Sequence, residues 1–182
     1  MQPLDDIRSA SSAEPRVEPA GFSPELDAQA HDRRVGLVVL STDHTSEADF
    51  RRMVASERIG VHVARIAYAN PVTPENLARM QPDLRRTAGL ILPDETIDAL
   101  CYSCTSASVV IGDDPVAAEL SAAKPGAAIV TPPLAATNAL RALGVNRISV
   151  LTPYTIATSR PMDGYFVAKG FQIASFRCLG ME

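Results

Sequence analysis

At 182 residues, with 46% apolar and 21% charged side chains, the chain is long enough for one full hydrophobic core and has the composition of a globular protein. A formal net charge of −4 gives no basic surface for a nucleic-acid backbone, and no stretch approaches the roughly 20 continuous apolar residues of a membrane span. The opening MQPLDDIRSA lacks the basic flank and apolar centre of a secretory leader, so a cytoplasmic protein with three reduced cysteines is expected.

Residues 1–32 are rich in Pro, Ser, Ala, Asp and Glu without sustained periodicity, and a disordered N-terminal tail that includes His31 is expected there. VGLVVLS (35–41) is a short β-branched apolar run of the kind buried on both faces of a parallel sheet. TSEADFRRMVASE follows, with Phe50, Met53, Val54 and Glu57 at helical spacing, which predicts an inward apolar stripe. GVHVARIAYA (60–69) reads as a second strand. A helix starts at TPENLARM (73–80), capped by Thr73 and broken or kinked at Pro82. IDALCYSC (97–104) is a third strand.

The pattern then repeats: PVAAELSAA is helical, GAAIV (126–130) a strand, TPPLAATNALRALG a helix ending on Gly144, and RISVLTPY (147–154) a strand. A helix near 159–169 and a strand at GFQIASF (170–176) close the sequence. Alternating strands and helices predict an α/β protein with doubly wound parallel sheets. The last strand needs a following helix to bury its second face, so the fold is expected to be incomplete at Glu182. Its open sheet edges make a homo-oligomer the expected state.

Ligands of open parallel sheets bind at the carboxyl ends of the strands. Three segments bring polar side chains there: STDHT (41–45), CTSAS (104–108) and TPY (152–154). Cys104 falls at a strand exit before a turn or helix, where free N–H groups and the helix dipole favour a thiolate. Thr105, Ser106 and Ser108 offer hydroxyl donors, and turn amides can cradle a carboxylate. Such a thiolate can abstract a proton beside a carboxylate or add to an activated alkene without a metal or organic cofactor.

Cys101 points to the opposite face by strand parity and reads as a small buried hydrophobe. One C-x-x-C with a distant Cys178 and histidines at 31, 44 and 62 lacks zinc-ligand spacing. A thioredoxin-like dithiol would open a helix, whereas Cys101 lies inside a strand. Asp43 carries charge to the edge, with His44, but is equally a natural helix cap. Tyr154 is either a donor to substrate or an aromatic lid on the following helix. Cys178 reads as structural, and His62 as a core or edge residue.

Taken together, VGLVVLSTDHTSEADF, IDALCYSCTSAS and ISVLTPY with GYFVAKGF resemble the Asp/Glu/hydantoin racemase superfamily. The similarity is greatest to its maleate cis-trans isomerase and arylmalonate decarboxylase branch, and within that to the ectoine-utilisation protein A subfamily. The resemblance implies two pseudo-symmetric half-domains, 33–130 and 131–182, the second incomplete, with the active site in the cleft between them. It implies Cys104 as the first catalytic cysteine, with Ser41, Asp43, Thr105, Ser106 and Tyr154 binding substrate. Asp43 stands where the maleate-isomerase branch carries Asn, which would repel a dicarboxylate but could pair with a substrate amine.

The family's second cysteine would lie beyond Glu182, and Cys178 is on the wrong strand to replace it. The expected function is therefore a cofactor-independent isomerase or racemase acting on a small carboxylate or amino-acid derivative, such as one from ectoine degradation. The alternatives are an arylmalonate-type decarboxylase, against which the position of Cys104 counts, and a catalytically incompetent fragment or binding module.

Overall fold

The computed structural model describes residues 17–25, 30–54 and 58–181. Most of the expected tail, residues 1–16 and 26–29, lies outside them, as does Glu57. Four strands, β1 (Arg33–Leu40), β2 (Ile59–Ile66), β3 (Ala99–Tyr102) and β4 (Ala128–Val130), form a parallel sheet in the order β2-β1-β3-β4. A second parallel pair joins β5 (Arg147–Thr152) to β6 (Gln172–Cys178). The helices are α1 (Ser46–Met53), α2 (Pro74–Ala78), α3 (Gln81–Gly89), α4 (Thr105–Ile111), α5 (Asp113–Ala123), α6 (Pro132–Ala142) and α7 (Ile156–Ala168). The protein is α/β with parallel sheets, as the strand–helix alternation predicts.

The apolar run of β1 is central because both of its neighbours need it: Leu37 registers with Val63 of β2 and with Cys101 of β3. Leu37, Val38 and Val39 are fully buried. Gly36 has a packing reason for its place in this strand, since a Cβ there would stand 2.8 Å from Leu100 Cδ1 and 2.9 Å from Ile97 Cδ1. Under the sheet Leu77, Leu84, Leu100, Tyr102, Val116 and Leu120 form the main core.

Several boundaries differ from the sequence expectation for local physical reasons. Pro82 does not bend one helix; it sits in the first turn of α3, where its missing N–H costs nothing. Thr73 caps α2 as expected, accepting from the Asn76 N–H at 3.2 Å. Helix α7 begins three residues early because Thr155 accepts from the Thr158 N–H, so Pro161 falls inside the helix. Helix α1 buries none of its residues: Met53 is 83% exposed, and Phe50 and Val54 are only half-buried. The inward stripe expected there is not formed.

The two sheets are tied together by the helices between them. Val109 of α4 and Leu140 of α6 pack on the smaller core of Met162, Phe166 and Phe171. Thr158 donates to the Val72 carbonyl at 2.6 Å, and Lys169 pairs with Asp113 at 2.6 Å. These contacts fix the carboxyl end of β5 beside the carboxyl ends of β2 and β3.

Candidate active site

The strand β3 ends at Tyr102, and Cys104 is the N-cap of α4, in extended conformation with φ −141° and ψ 104°. The Ser103 N–H donates to the Val38 carbonyl at 2.8 Å, so the turn is anchored to the central strand. The Cys104 carbonyl is held from below by the Ser108 N–H at 3.0 Å and the Ser108 hydroxyl at 2.7 Å. The Ser108 hydroxyl, a candidate donor to substrate from sequence, is spent on this bond.

The Cys104 sulfur lies 3.9 Å from the Ser106 hydroxyl and faces the Ala107 N–H, which falls short of a full hydrogen bond. The thiol is 6% exposed and belongs to the main core. Burial pushes its pKa up; the Ala107 N–H, the Ser106 hydroxyl and the Tyr102 hydroxyl oppose that shift, and the Asp43 charge adds to it. The net direction is upward. The helix start does supply thiolate-stabilising groups, as expected, but desolvation outweighs them and the resting group is a thiol. Cys101, half-buried on the other parity, has no such donors, and burial alone pushes it up to about 11.

Three phenols surround Cys104. The Tyr102 hydroxyl, fully buried, donates to Met80 Sδ at 3.7 Å and also interacts with the Cys104 sulfur. Tyr154 stands beside the Ser106 hydroxyl and within electrostatic reach of the thiol. Tyr68, just past β2, senses both Cys104 and Tyr154. Burial raises the pKa of all three, so each stays a protonated donor at neutral pH. Tyr154 is held by the segment that follows β6: Gly180 N–H donates to its carbonyl at 3.1 Å and Met181 N–H to that of Pro153 at 2.8 Å. It also packs on the smaller core, so it is at once a donor and a packed aromatic.

Asp43 is first of all a cap. Its Oδ1 accepts from the Thr45 and Ser46 N–H groups at 2.9 and 2.7 Å, and its Oδ2 from the Ser46 hydroxyl at 2.6 Å. Partial burial would raise its pKa, but the Ser46 and Thr45 bonds and Arg65 hold it below the usual carboxylate value. It therefore stays ionised, and its field reaches Cys104. The Arg65 guanidinium donates to the Asp43 carbonyl at 2.8 Å and stiffens the loop. Ser41 is exposed on that loop, its N–H continuing the β1–β2 pairing onto the Ile66 carbonyl at 2.8 Å. Thr105 is half-buried in the first turn of α4, and His44 is exposed. The structure thus gathers Cys104, Ser106 and Tyr154, sets Asp43 within electrostatic range, and leaves Ser41 and Thr105 on the same edge.

Tyr68 and Tyr102 escape a sequence reading. Tyr102 is one strand residue among others in CYSC, and Tyr68 follows an unremarkable AR-I-A run. The only available signal is that each stands at a strand's carboxyl end. Cys178, at the end of β6 in register with Thr152, lines a cavity of about 380 Å³ with Ser159, Arg160, Asp163 and Phe176. Among the described residues no cluster of three or more His, Cys, Asp or Glu side chains could hold a metal ion, and no helix is long and apolar enough to cross a membrane.

Two substitutions should move the Cys104 thiol in opposite directions. Asp43→Asn keeps a capping oxygen but removes the negative field, so Cys104 should alkylate severalfold faster at neutral pH. Tyr102→Phe removes a donor to the sulfur, so alkylation should slow and its pH profile shift upward. Iodoacetamide labelling rates across pH, read at the Cys104 peptide by mass, measure both.

No family model matches the sequence. The maleate isomerase of Nocardia farcinica is 29% identical over 157 residues, a match covering 81% of this chain and 62% of that protein. That of Geobacillus stearothermophilus is 27% identical over 154 residues, covering 77% and 61%. The chain thus spans about three fifths of the length of these curated relatives. Among solved structures, the maleate isomerase Iso from Pseudomonas putida S16 superposes with a TM-score of 0.71 at 30% identity, covering 82% of this chain and 64% of that one. A Nocardia farcinica maleate cis-trans isomerase C194S mutant with a covalently bound succinylcysteine intermediate gives 0.70 at 28%, covering 81% and 64%. A liganded arylmalonate decarboxylase mutant gives 0.67 at 23% identity, covering 82% and 63%, which is a likeness of fold. The chain is therefore similar in sequence to the maleate isomerases and has the α/β fold that they share with arylmalonate decarboxylase.

Proposed function

We propose that the chain carries the nucleophile half of a cofactor-independent isomerase or racemase site for a small carboxylate or amino-acid derivative, with Cys104 as the reacting group. The observation that carries this reading is the convergence of one buried thiol with Ser106, Tyr154, Tyr68 and Tyr102 at the carboxyl edge of the sheet. A similar fold in which a cysteine is found succinylated supports it.

For an unsaturated diacid the chemistry is addition followed by elimination. The sulfur electron pair forms an S–C bond to one alkene carbon, and the alkene pair moves to the neighbouring carbon, where a carboxylate delocalises it. Rotation about the new single bond and expulsion of the thiolate return the trans alkene with no net change of atoms. The protonated phenols of Tyr154 and Tyr68 and the first amides of α4 are the donors that would hold the developing enediolate. Asp43, ionised at the rim, disfavours a second carboxylate nearby and favours an amino group. That is the basis for preferring an amino-acid derivative, of the kind ectoine breakdown yields, over maleate itself.

The test is proton NMR of the chain in D₂O with maleate and, in parallel, with small α-amino and N-acylamino acids. Growth of fumarate, or loss of an α-proton signal as deuterium enters, is the expected result. No change in any of these substrates overturns the reading.

A further inference from the structure

Cys104 and Tyr154 each stand at the start of a helix. Cys104 is the N-cap of α4, and Tyr154 precedes Thr155, the N-cap of α7. Both helices leave the carboxyl edge of a sheet, and they pack side by side, with Val109 of α4 against the core of Met162 and Phe166 on α7. The spacing of thiol and phenol is therefore set by the spacing of two helix starts.

The far ends of the same two helices are fastened by a polar cluster. Asp113 follows α4 by way of Gly112 and opens α5. Its Oδ2 pairs with Lys169 Nζ at 2.6 Å, and the Tyr165 hydroxyl donates to its two carboxylate oxygens at 3.2 and 3.3 Å. The Lys169 ammonium also lies over the Tyr165 ring, 5.2 Å from the centroid, so the three side chains hold one another. The Arg141 guanidinium of α6 donates to the Lys169 carbonyl at 2.9 Å and anchors the end of α7. The Lys169 and Asp113 side chains are 30% and 20% exposed, so water and salt screen the pair less than a fully exposed one.

Backbone bonds connect each side of this cluster to the site. One series runs from the Val116 N–H to the Gly112 carbonyl at 3.2 Å, from the Gly112 N–H to Ser108 at 3.0 Å, and from the Ser108 N–H to Cys104 at 3.0 Å. The other is α7 itself, whose first turn is pinned to β5 by the Ser159 and Thr152 hydroxyls, 2.7 Å apart. Asp113 is nine residues past Cys104 and Tyr165 eleven past Tyr154, which at helical rise puts the cluster about 14–16 Å from them. We propose that Asp113, Tyr165 and Lys169 are positioning residues, a clasp that holds Tyr154 beside Cys104 from the far ends of α4 and α7; this rests on the reading that Cys104 and Tyr154 serve one site.

Fluorine NMR of the whole chain made with 3-fluorotyrosine tests this without turnover, each of the four tyrosine signals being assigned from its Phe variant. Cys104→Ser should shift the Tyr102 and Tyr154 signals, because both phenols interact with the thiol. With Asp113→Ala in place, or Lys169→Met should the first fold poorly, Cys104→Ser should shift Tyr102 as before and Tyr154 severalfold less. Lys169→Arg, which keeps the charge, should keep both responses. An undiminished Tyr154 response in the clasp variants overturns the proposal. So does a Tyr154 signal that ignores Cys104 in the parent chain, or loss of the Tyr102 and Tyr154 responses together, which marks general loosening. Failure to act on maleate or the amino acids with the fluorine responses as expected overturns the functional reading and leaves the clasp standing.

Discussion

Cys104→Ala is expected to abolish turnover and covalent capture of an unsaturated diacid while leaving the fold intact. The side chain is small, and the bonds that hold its turn are made by the backbone: Ser103 N–H to Val38, and Ser108 to the Cys104 carbonyl. Removing sulfur leaves those in place, so stability should change by no more than about 1–2 kcal/mol, the cost of a small cavity. Activity is another matter, because Cys104 is the thiol on which Ser106, Tyr102 and Tyr154 act. Loss of product signal to background with an unchanged thermal transition is the expected pair of results. Retained turnover would show that the reacting group lies elsewhere. Cys104→Ser, which keeps a hydroxyl beside Ser106, should also be inactive as a nucleophile, since a serine hydroxyl is far less acidic and less nucleophilic than a thiol.

Leu100→Ala should be the most damaging of the changes considered for the fold. Leu100 is fully buried and registers with Gly36 of β1 and Ile129 of β4. Its Cδ1 fills the space that a side chain on Gly36 would occupy. Truncation leaves a cavity under the central strand that backbone-bonded neighbours cannot close, at a cost of about 2–5 kcal/mol. A lower urea midpoint at unchanged m value is the readout. Because β3 carries Cys104 four residues on, the same variant should also loosen the thiol and speed its alkylation. A midpoint within experimental error of the parent would mean that the core is not centred on β3.

The parts of the fold that were legible in the sequence are those whose signal is local. VGLVVLS becomes a strand because its apolar β-branched run suits burial on both faces, ALCY is a short apolar strand, RISVLT is a strand that alternates exposed with more buried positions, and Thr73 caps its helix where the sequence places it. The position of Cys104 at a strand exit and helix start was legible for the same reason. Its ionisation was not. The donors at α4 are readable from CTSAS, but the depth of burial is set by Tyr102, Met80 and the helices packed over them, which are distant in sequence. Likewise α1 carries an apolar stripe on paper, yet the residues it faces leave Met53 in solvent. Asp43 shows why a residue's type does not settle its role: one carboxylate caps a helix through three bonds and still biases a thiol through space.

The most direct test of the central claim is to incubate the parent chain with maleate at mildly alkaline pH, quench, and map every cysteine by peptide mass. Cys104 as the nucleophile predicts a succinyl adduct on the peptide containing Cys104, formed faster with rising pH as the raised thiol ionises, with Cys101 and Cys178 unmodified. Addition at Cys178 or Cys101 in preference to Cys104, or an inert Cys104 at every pH, would contradict it.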